Sequence, residues 1–190
     1  ANAVNGVINI ITKKASETQG TLLSAGGGSF EHGFFGARYG GKINEETPFR
    51  VYAKGFTRDN TISPESANRH DQWHSARGGF RLDHTSGIDQ FTAQGDIYFN
   101  SLGNTLDSNT SRFLHLQNSA IRGNQEGGNI RFRWDRVYSE RASIMLQTYY
   151  DRNTYQFHSV GKSDAESFDI DFQHRFPLFN QHDVIWGANY

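Results

Sequence analysis

The sequence predicts an all-β fold: an antiparallel transmembrane β-barrel, of which this chain holds about nine strands. Three observations lead there. Apolar and polar residues alternate with period two in run after run, the mark of a strand with one wet and one dry face. The connections between runs alternate between short and long. Aromatic residues make up 14% of the chain, with 20 Gly against 3 Pro, which suits many strands joined by tight turns.

The runs follow in order. Thr21 to Ser29 is Gly-rich and the least regular. Phe34 to Ile43 sets Phe35, Ala37 and Tyr39 against Arg38, and Phe49 to Arg58 sets Phe49, Val51, Ala53 and Gly55 against Arg50, Tyr52, Lys54, Phe56 and Arg58. Ala76, Gly78, Phe80 and Leu82 alternate with Arg77, Gly79, Arg81 and Asp83. Phe91 to Phe99 sets Phe91, Ala93, Gly95, Ile97 and Phe99 against Thr92, Gln94, Asp96 and Tyr98. Ile130, Phe132 and Trp134 alternate with Arg131, Arg133 and Asp135, and Ala142, Ile144, Leu146 and Thr148 with Ser143, Met145, Gln147 and Tyr149. Phe168, Ile170 and Phe172 alternate with Asp169, Asp171 and Gln173, and the last run puts Val184, Trp186, Ala188 and Tyr190 on one face.

Short connections are expected at Asn44 to Pro48, Thr85 to Gln90, Tyr138 to Arg141 and Pro177 to His182. Long ones are expected at Asp59 to His74, Ser101 to Gly128 and Arg152 to Ser167, with Phe30 to Gly33 a short exception on the long side. This asymmetry is that of an outer-membrane barrel, with short periplasmic turns and longer extracellular loops. One face of the runs is crowded with charge and the other nearly free of it. Tyr39, Phe99, Trp134, Phe176 and Trp186 fall where an interfacial aromatic girdle belongs.

Composition sets the limits. No run of about 18 apolar residues exists, so no helix of the sequence suits a bilayer, whereas a barrel strand needs only about 9–11 residues with alternate ones apolar. A formal net charge of −1 gives no global basic field, so no nucleic-acid partner is expected. Without Cys there is no disulfide, thiolate metal site or thiol nucleophile. Ala1-Asn2-Ala3-Val4 has neither the basic start nor the long apolar core of a signal peptide. Both ends are read as cut, since the chain opens as if already under way and stops inside the strand-like run Asp183 to Tyr190; nine strands are odd for a bacterial barrel and an open sheet leaves two edges prone to aggregation, so either a larger protein or an unusual fragment assembly is expected.

Ala3-Val4-Asn5-Gly6-Val7-Ile8-Asn9-Ile10-Ile11-Thr12-Lys13 resembles the end of the plug domain in TonB-dependent outer-membrane receptors, and Gly20 to Gly41 resembles that family's first barrel hairpin. From the residues alone, Val4, Ile8 and Ile10 with Val7 and Ile11 make a strand apolar on both faces, as in any buried strand. The resemblance implies residues 1–15 as the end of the plug and residues 16–190 as the first part of a 22-strand barrel in the bacterial outer membrane. It implies energy-coupled uptake of a scarce nutrient, a ferric siderophore first and cobalamin, haem or a carbohydrate as alternatives. Its partners would be the TonB complex, reached through a plug segment not in this chain, membrane lipid and a small-molecule nutrient. No cofactor is expected beyond a ligand that is itself an iron chelate.

Candidate ligand contacts lie in the expected outer loops: Arg69, His70, Trp73 and His74 in the first long one, His115 in the second, Tyr155 and His158 in the third. Aromatic and basic groups suit anionic iron chelates through stacking and charge; solvated loop residues are the plainer reading. Arg50, Lys54, Arg77, Arg81, Arg131, Arg133, Asp169 and Asp171 are expected to face the lumen and the plug, or simply to line a wet interior. His70 and His74 have the spacing of a helical metal pair, but no Glu accompanies them and no helical period surrounds them, so no metal site is assigned. Rivals of another class are a barrel enzyme and a passive porin. Ser66, His70 and Asp71 could be drawn as a triad, yet no spacing selects them, no G-x-S-x-G elbow occurs, and Gly26-Gly27-Gly28 lacks the Lys-Ser/Thr of a phosphate loop. No catalytic residue is assigned.

Overall fold

The computed structural model describes residues 11–61, 70–105, 120–157, 161–179 and 181–190. It is one antiparallel sheet of nine strands in sequence order, each hydrogen-bonded to the next, with the first and last strands as unpaired edges among the described residues. The strands are β1 (Gly20–Gly26), β2 (Glu31–Lys42), β3 (Pro48–Arg58), β4 (Trp73–Ser86), β5 (Asp89–Thr105), β6 (Ala120–Ser139), β7 (Ala142–Phe157), β8 (Gly161–Leu178) and β9 (His182–Asn189). A single 3-10 turn, Ala15–Thr18, precedes them.

All nine expected strands are present, but the later ones are longer than their apolar periodicity. The connection expected at Arg152 to Ser167 is mostly strand: β7 runs to Phe157 and β8 starts at Gly161, leaving three residues between them. Likewise Trp73 and His74 open β4 rather than sitting in a loop, and Tyr155 lies inside β7. The cause is that pairing continues where both faces turn polar. Arg152, Thr154 and Gln156 alternate with Asn153 and Tyr155, so the backbone ladder persists while the apolar signal ends. Long connections do remain after β3 and β5. Of the expected plug strand, residues 1–10 lie outside the described residues, and Ile11 to Lys14 are not in a strand.

Register places every side chain on one of two faces. Arg50, Arg81, Gln94, Arg131, Tyr149 and Asp169 form one continuous row across β3 to β8, and Lys54, Arg77, Tyr98 and Asn153 run parallel to it. Arg133 and Asp171 share the same face through Gln147. All eight residues expected on the wet face therefore lie together. The opposite face carries Val51, Phe80, Ile97, Phe99, Ile130, Phe132, Phe168 and Trp186, all exposed or half-exposed. It also holds Tyr39, Trp134 and Phe176, the remaining residues expected in a girdle. Some apolar groups do sit on the charged face, notably Leu22 and Phe34 near one edge and Ile185 on β9.

This is not the burial pattern of a sheet with its own core. Ala15 is the only buried hydrophobic residue among the described ones. Exposed apolar surface on this scale marks a face that meets a membrane or a partner. Ion pairs bound the apolar face at both ends. At the short-turn end Arg136 grips Asp89 at 2.6 Å, while the Trp134 indole donates to the same carboxylate at 2.8 Å. Those hydrogen bonds, the Arg136 one foremost, hold the Asp89 carboxyl below the usual carboxylate range. At the other end stand Arg152–Glu166 at 3.5 Å and Lys162–Asp164 at 2.9 Å. Asp164 is held low by hydrogen bonds from Thr154 and Lys162. Between the rims, Phe91 to Phe99 on β5 covers about 26 Å along the strand.

Candidate functional site

The charged face has two built regions. The first lies near the short-turn end of β3 and β4, where Thr12 to Thr18 cross the sheet. The Asp83 carboxylate accepts the Ala15 backbone N–H at 2.7 Å, the Thr92 hydroxyl at 2.9 Å and the Arg81 guanidinium at 3.0 Å. Arg81 also donates to the Thr12 hydroxyl at 2.8 Å and its carbonyl at 3.4 Å. Arg50 donates to the Lys13 carbonyl at 3.2 Å and the Thr18 hydroxyl at 3.4 Å. Ala15 is 0% and Thr18 3% exposed, so the segment is seated on the sheet.

Gly40 explains how the chain gets so close. A Cβ there would stand 2.1 Å from the Thr18 carbonyl oxygen and 2.9 Å from the Gln19 Cα. Backbone, not a flexible side chain, would have to move. Gly40→Val is therefore expected to lift residues 15–19 off the sheet and destabilise the fold by about 1–3 kcal/mol. Faster hydrogen exchange at the Ala15 amide would register it; unchanged exchange would refute it.

The second region lies toward the long-connection end. Side chains there form a ladder across four strands: Ser75 to Asn100 at 2.7 Å, Asn100 to Gln125 at 3.1 Å, and Gln125 to the Tyr155 hydroxyl at 2.7 Å. The Tyr98 hydroxyl donates to Asn153 at 3.0 Å, and Arg77 grips Asp96 at 2.7 Å. Ser75, Asn100 and Gln125 of the ladder border a cavity of about 600 Å³, also lined by Phe34, Lys54, Phe56, Trp73, Arg77 and Tyr98. Phe56 and Trp73 meet edge to face at 5.0 Å, and the Arg58 guanidinium lies 4.4 Å from the Phe56 ring centre while pairing with Glu31 at 2.9 Å. Lys54 makes no ion pair with the described residues. A shelf of this kind offers aromatic faces, neutral donors and acceptors, and cations to a polar organic ligand.

The sequence-predicted residues divide accordingly. Lys54, Arg77 and Trp73 come together at the shelf, Tyr155 adjoins it through its hydrogen bond from Gln125, and Arg50 and Arg81 meet at the seated segment. Arg131 lies in the row between, its Nε buried without a hydrogen-bond partner among the described residues, and Arg133 pairs with Asp135 at 2.7 Å. Asp169 accepts from Asn189 at 2.8 Å; Asp171 lies on β8 opposite Asn189 of β9. His74 points to the apolar face, where its Nδ1 lies 3.3 Å from the Thr57 hydroxyl, so it does not join Trp73. His70 has φ 52°, and its carbonyl crosses Gly103 closely. Arg69, His115 and His158 lie outside the described residues. Sequence reasoning missed Phe34, Asn100, Gln125 and Asn153. The last three sit where the apolar alternation had ended, and nothing but strand parity, carried past that point, marks them as facing the shelf.

No family model, curated protein or solved structure matches the chain.

Proposed function

We propose that this chain is a stretch of a TonB-dependent outer-membrane receptor, running from the end of the plug (residues 1–15) into the first nine strands of a 22-strand transmembrane barrel (residues 16–190). The receptor takes up a scarce nutrient in a TonB-driven step, a ferric siderophore first among ligand classes. One observation carries the reading: a single sheet bears an exposed apolar face bounded by ion pairs on one side, and on the other a charged face on which residues 12–18 are seated. A soluble sheet of this length needs a second layer over its apolar side; in a bilayer, lipid is that layer. The charged face then lines the lumen, the seated segment is where the plug joins the barrel, and the shelf lies on the ligand's way in. Nine strands alone transport nothing, so the activity belongs to the whole receptor.

The test is binding by the full-length parent in detergent, read by tryptophan quenching, against ferric catecholate and hydroxamate siderophores, haem and cobalamin. Trp73→Ala and Tyr155→Ala are each expected to weaken binding of one ferric chelate about tenfold, the order of a lost aromatic or hydrogen-bond contact of 1–1.5 kcal/mol. Tight binding that neither change affects would move the ligand off the shelf. Recovery of the parent in the soluble fraction, rather than in membranes resistant to carbonate extraction, would defeat the receptor reading itself.

A further inference from the structure

We infer that residues 12–18 are a mechanical anchor: under a pull on the chain that precedes them, they stay bound to β3 and β4, so that unravelling stops there. The inference rests on the receptor reading for the source of the pull, but its evidence is local. Three side chains hold the segment at four residues. Thr12 is held by Arg81, Ala15 by Asp83, and Lys13 with Thr18 by Arg50. The ties are not independent of each other, because Arg81 and Asp83 are themselves paired, with side chains only 10% and 17% exposed. Releasing Thr12 or Ala15 therefore strips a partner from one member of a mostly buried ion pair, which is costly where water cannot replace it.

The geometry also sets how tension enters. The ties lie along a short stretch on the sheet face, and the chain then turns directly into β1, whose seven residues pair with β2. A pull applied ahead of Thr12 loads Arg81 at Thr12 first, then Arg50 at Lys13, then Asp83 at Ala15 and Arg50 again at Thr18, before it reaches the ladder of β1. Gly40 seats the backbone of Thr18 and Gln19 so closely that the segment lies against the sheet at its last tie. A segment meant to slide with a moving plug has no need of backbone-specific ties or of a glycine slot beneath it. This one fixes where the moving part of the receptor ends.

The experiment is single-molecule force spectroscopy on the full-length parent in lipid bilayers, pulled by its N-terminus. The expected trace releases the chain ahead of residue 12 and then shows a separate rupture for residues 12–18 before β1 peels. In the pair Arg81→Met/Asp83→Asn, which keeps side-chain volume, that rupture is expected to be lost while the later strand-by-strand events stay in place. Continuous peeling from ahead of residue 12 into β1, or a rupture that survives the paired change, would overturn the anchor. A trace that keeps the rupture but shows no folded unit ahead of residue 12 would support the anchor and sink the plug assignment, so the two failures are told apart.

Discussion

Ile130→Arg is expected to cost the parent receptor about 2–4 kcal/mol, the penalty for a cation at mid-depth on the lipid face of a barrel. Ile130 lies centrally on the apolar face, 52% exposed, between Gly95 of β5 and Tyr150 of β7. Its neighbour Arg131 already places a guanidinium on the opposite face, so chain position and helix or strand propensity are nearly held constant by comparing the two sides. Asn129→Arg, on the charged face, is accordingly expected to cost under about 1 kcal/mol, and Glu126→Arg, opposite Phe99 at the end of the apolar stretch, about 0–1 kcal/mol as at a membrane interface. Reversible urea unfolding in bilayers reads all three. Equal costs for the three would mean that the apolar face does not meet lipid. A second protein layer over the same face would also punish Ile130→Arg, so a nitroxide attached at Ile130→Cys separates the cases. Relaxation by oxygen should exceed relaxation by a water-soluble nickel chelate if lipid surrounds it, whereas burial under protein would suppress both.

Most of this architecture was open to reading because a strand writes its two environments into alternate residues. Phe91 to Phe99 and Phe168 to Phe172 announce a strand, its apolar side and its register parity in one stretch. That parity is why Arg50, Lys54, Arg77, Arg81, Arg131, Arg133, Asp169 and Asp171 can be assigned to one face from sequence alone, and the pairing puts them on one face. Parity says nothing about where pairing stops. Arg152 to Phe157 and Gly161 to Ser167 are polar on both faces and look like loop, yet they pair residue for residue. The shelf suffered most from this, since Asn153 and Tyr155 lie in that hidden extension while Asn100 and Gln125 flank another. Nor does a linear pattern show contact across distance. Asp83 and Ala15 are 68 residues apart, and nothing near either one indicates that a backbone N–H of the first segment will find that carboxylate. Gly40 was legible only as one of a Gly-rich hairpin, not as the slot that seats Thr18.

Asp83→Ala is expected to destabilise the protein by about 3–5 kcal/mol, because it leaves the mostly buried Arg81 guanidinium without its carboxylate. Asp83 accepts from three different parts of the chain, Arg81 beside it, Thr92 on β5 and Ala15 ahead of β1. Removing it orphans a charge, a hydroxyl and a backbone N–H at once. After the change Arg81 keeps the Thr12 oxygens and a 3.5 Å approach to Gln94, all neutral acceptors. These share the charge-assisted bond poorly. The double change Arg81→Met/Asp83→Leu should cost less than Asp83→Ala alone, since it removes the stranded charge together with its partner and leaves side chains of comparable bulk. Urea midpoints of the three proteins in the same lipid give the comparison, provided the unfolding slopes agree. A cost for Asp83→Ala below about 1 kcal/mol would place the pair among solvent-screened surface bridges. A double change that costs more than the single one would mean that the bonds to Thr12 and Ala15, rather than the ion pair, dominate the region.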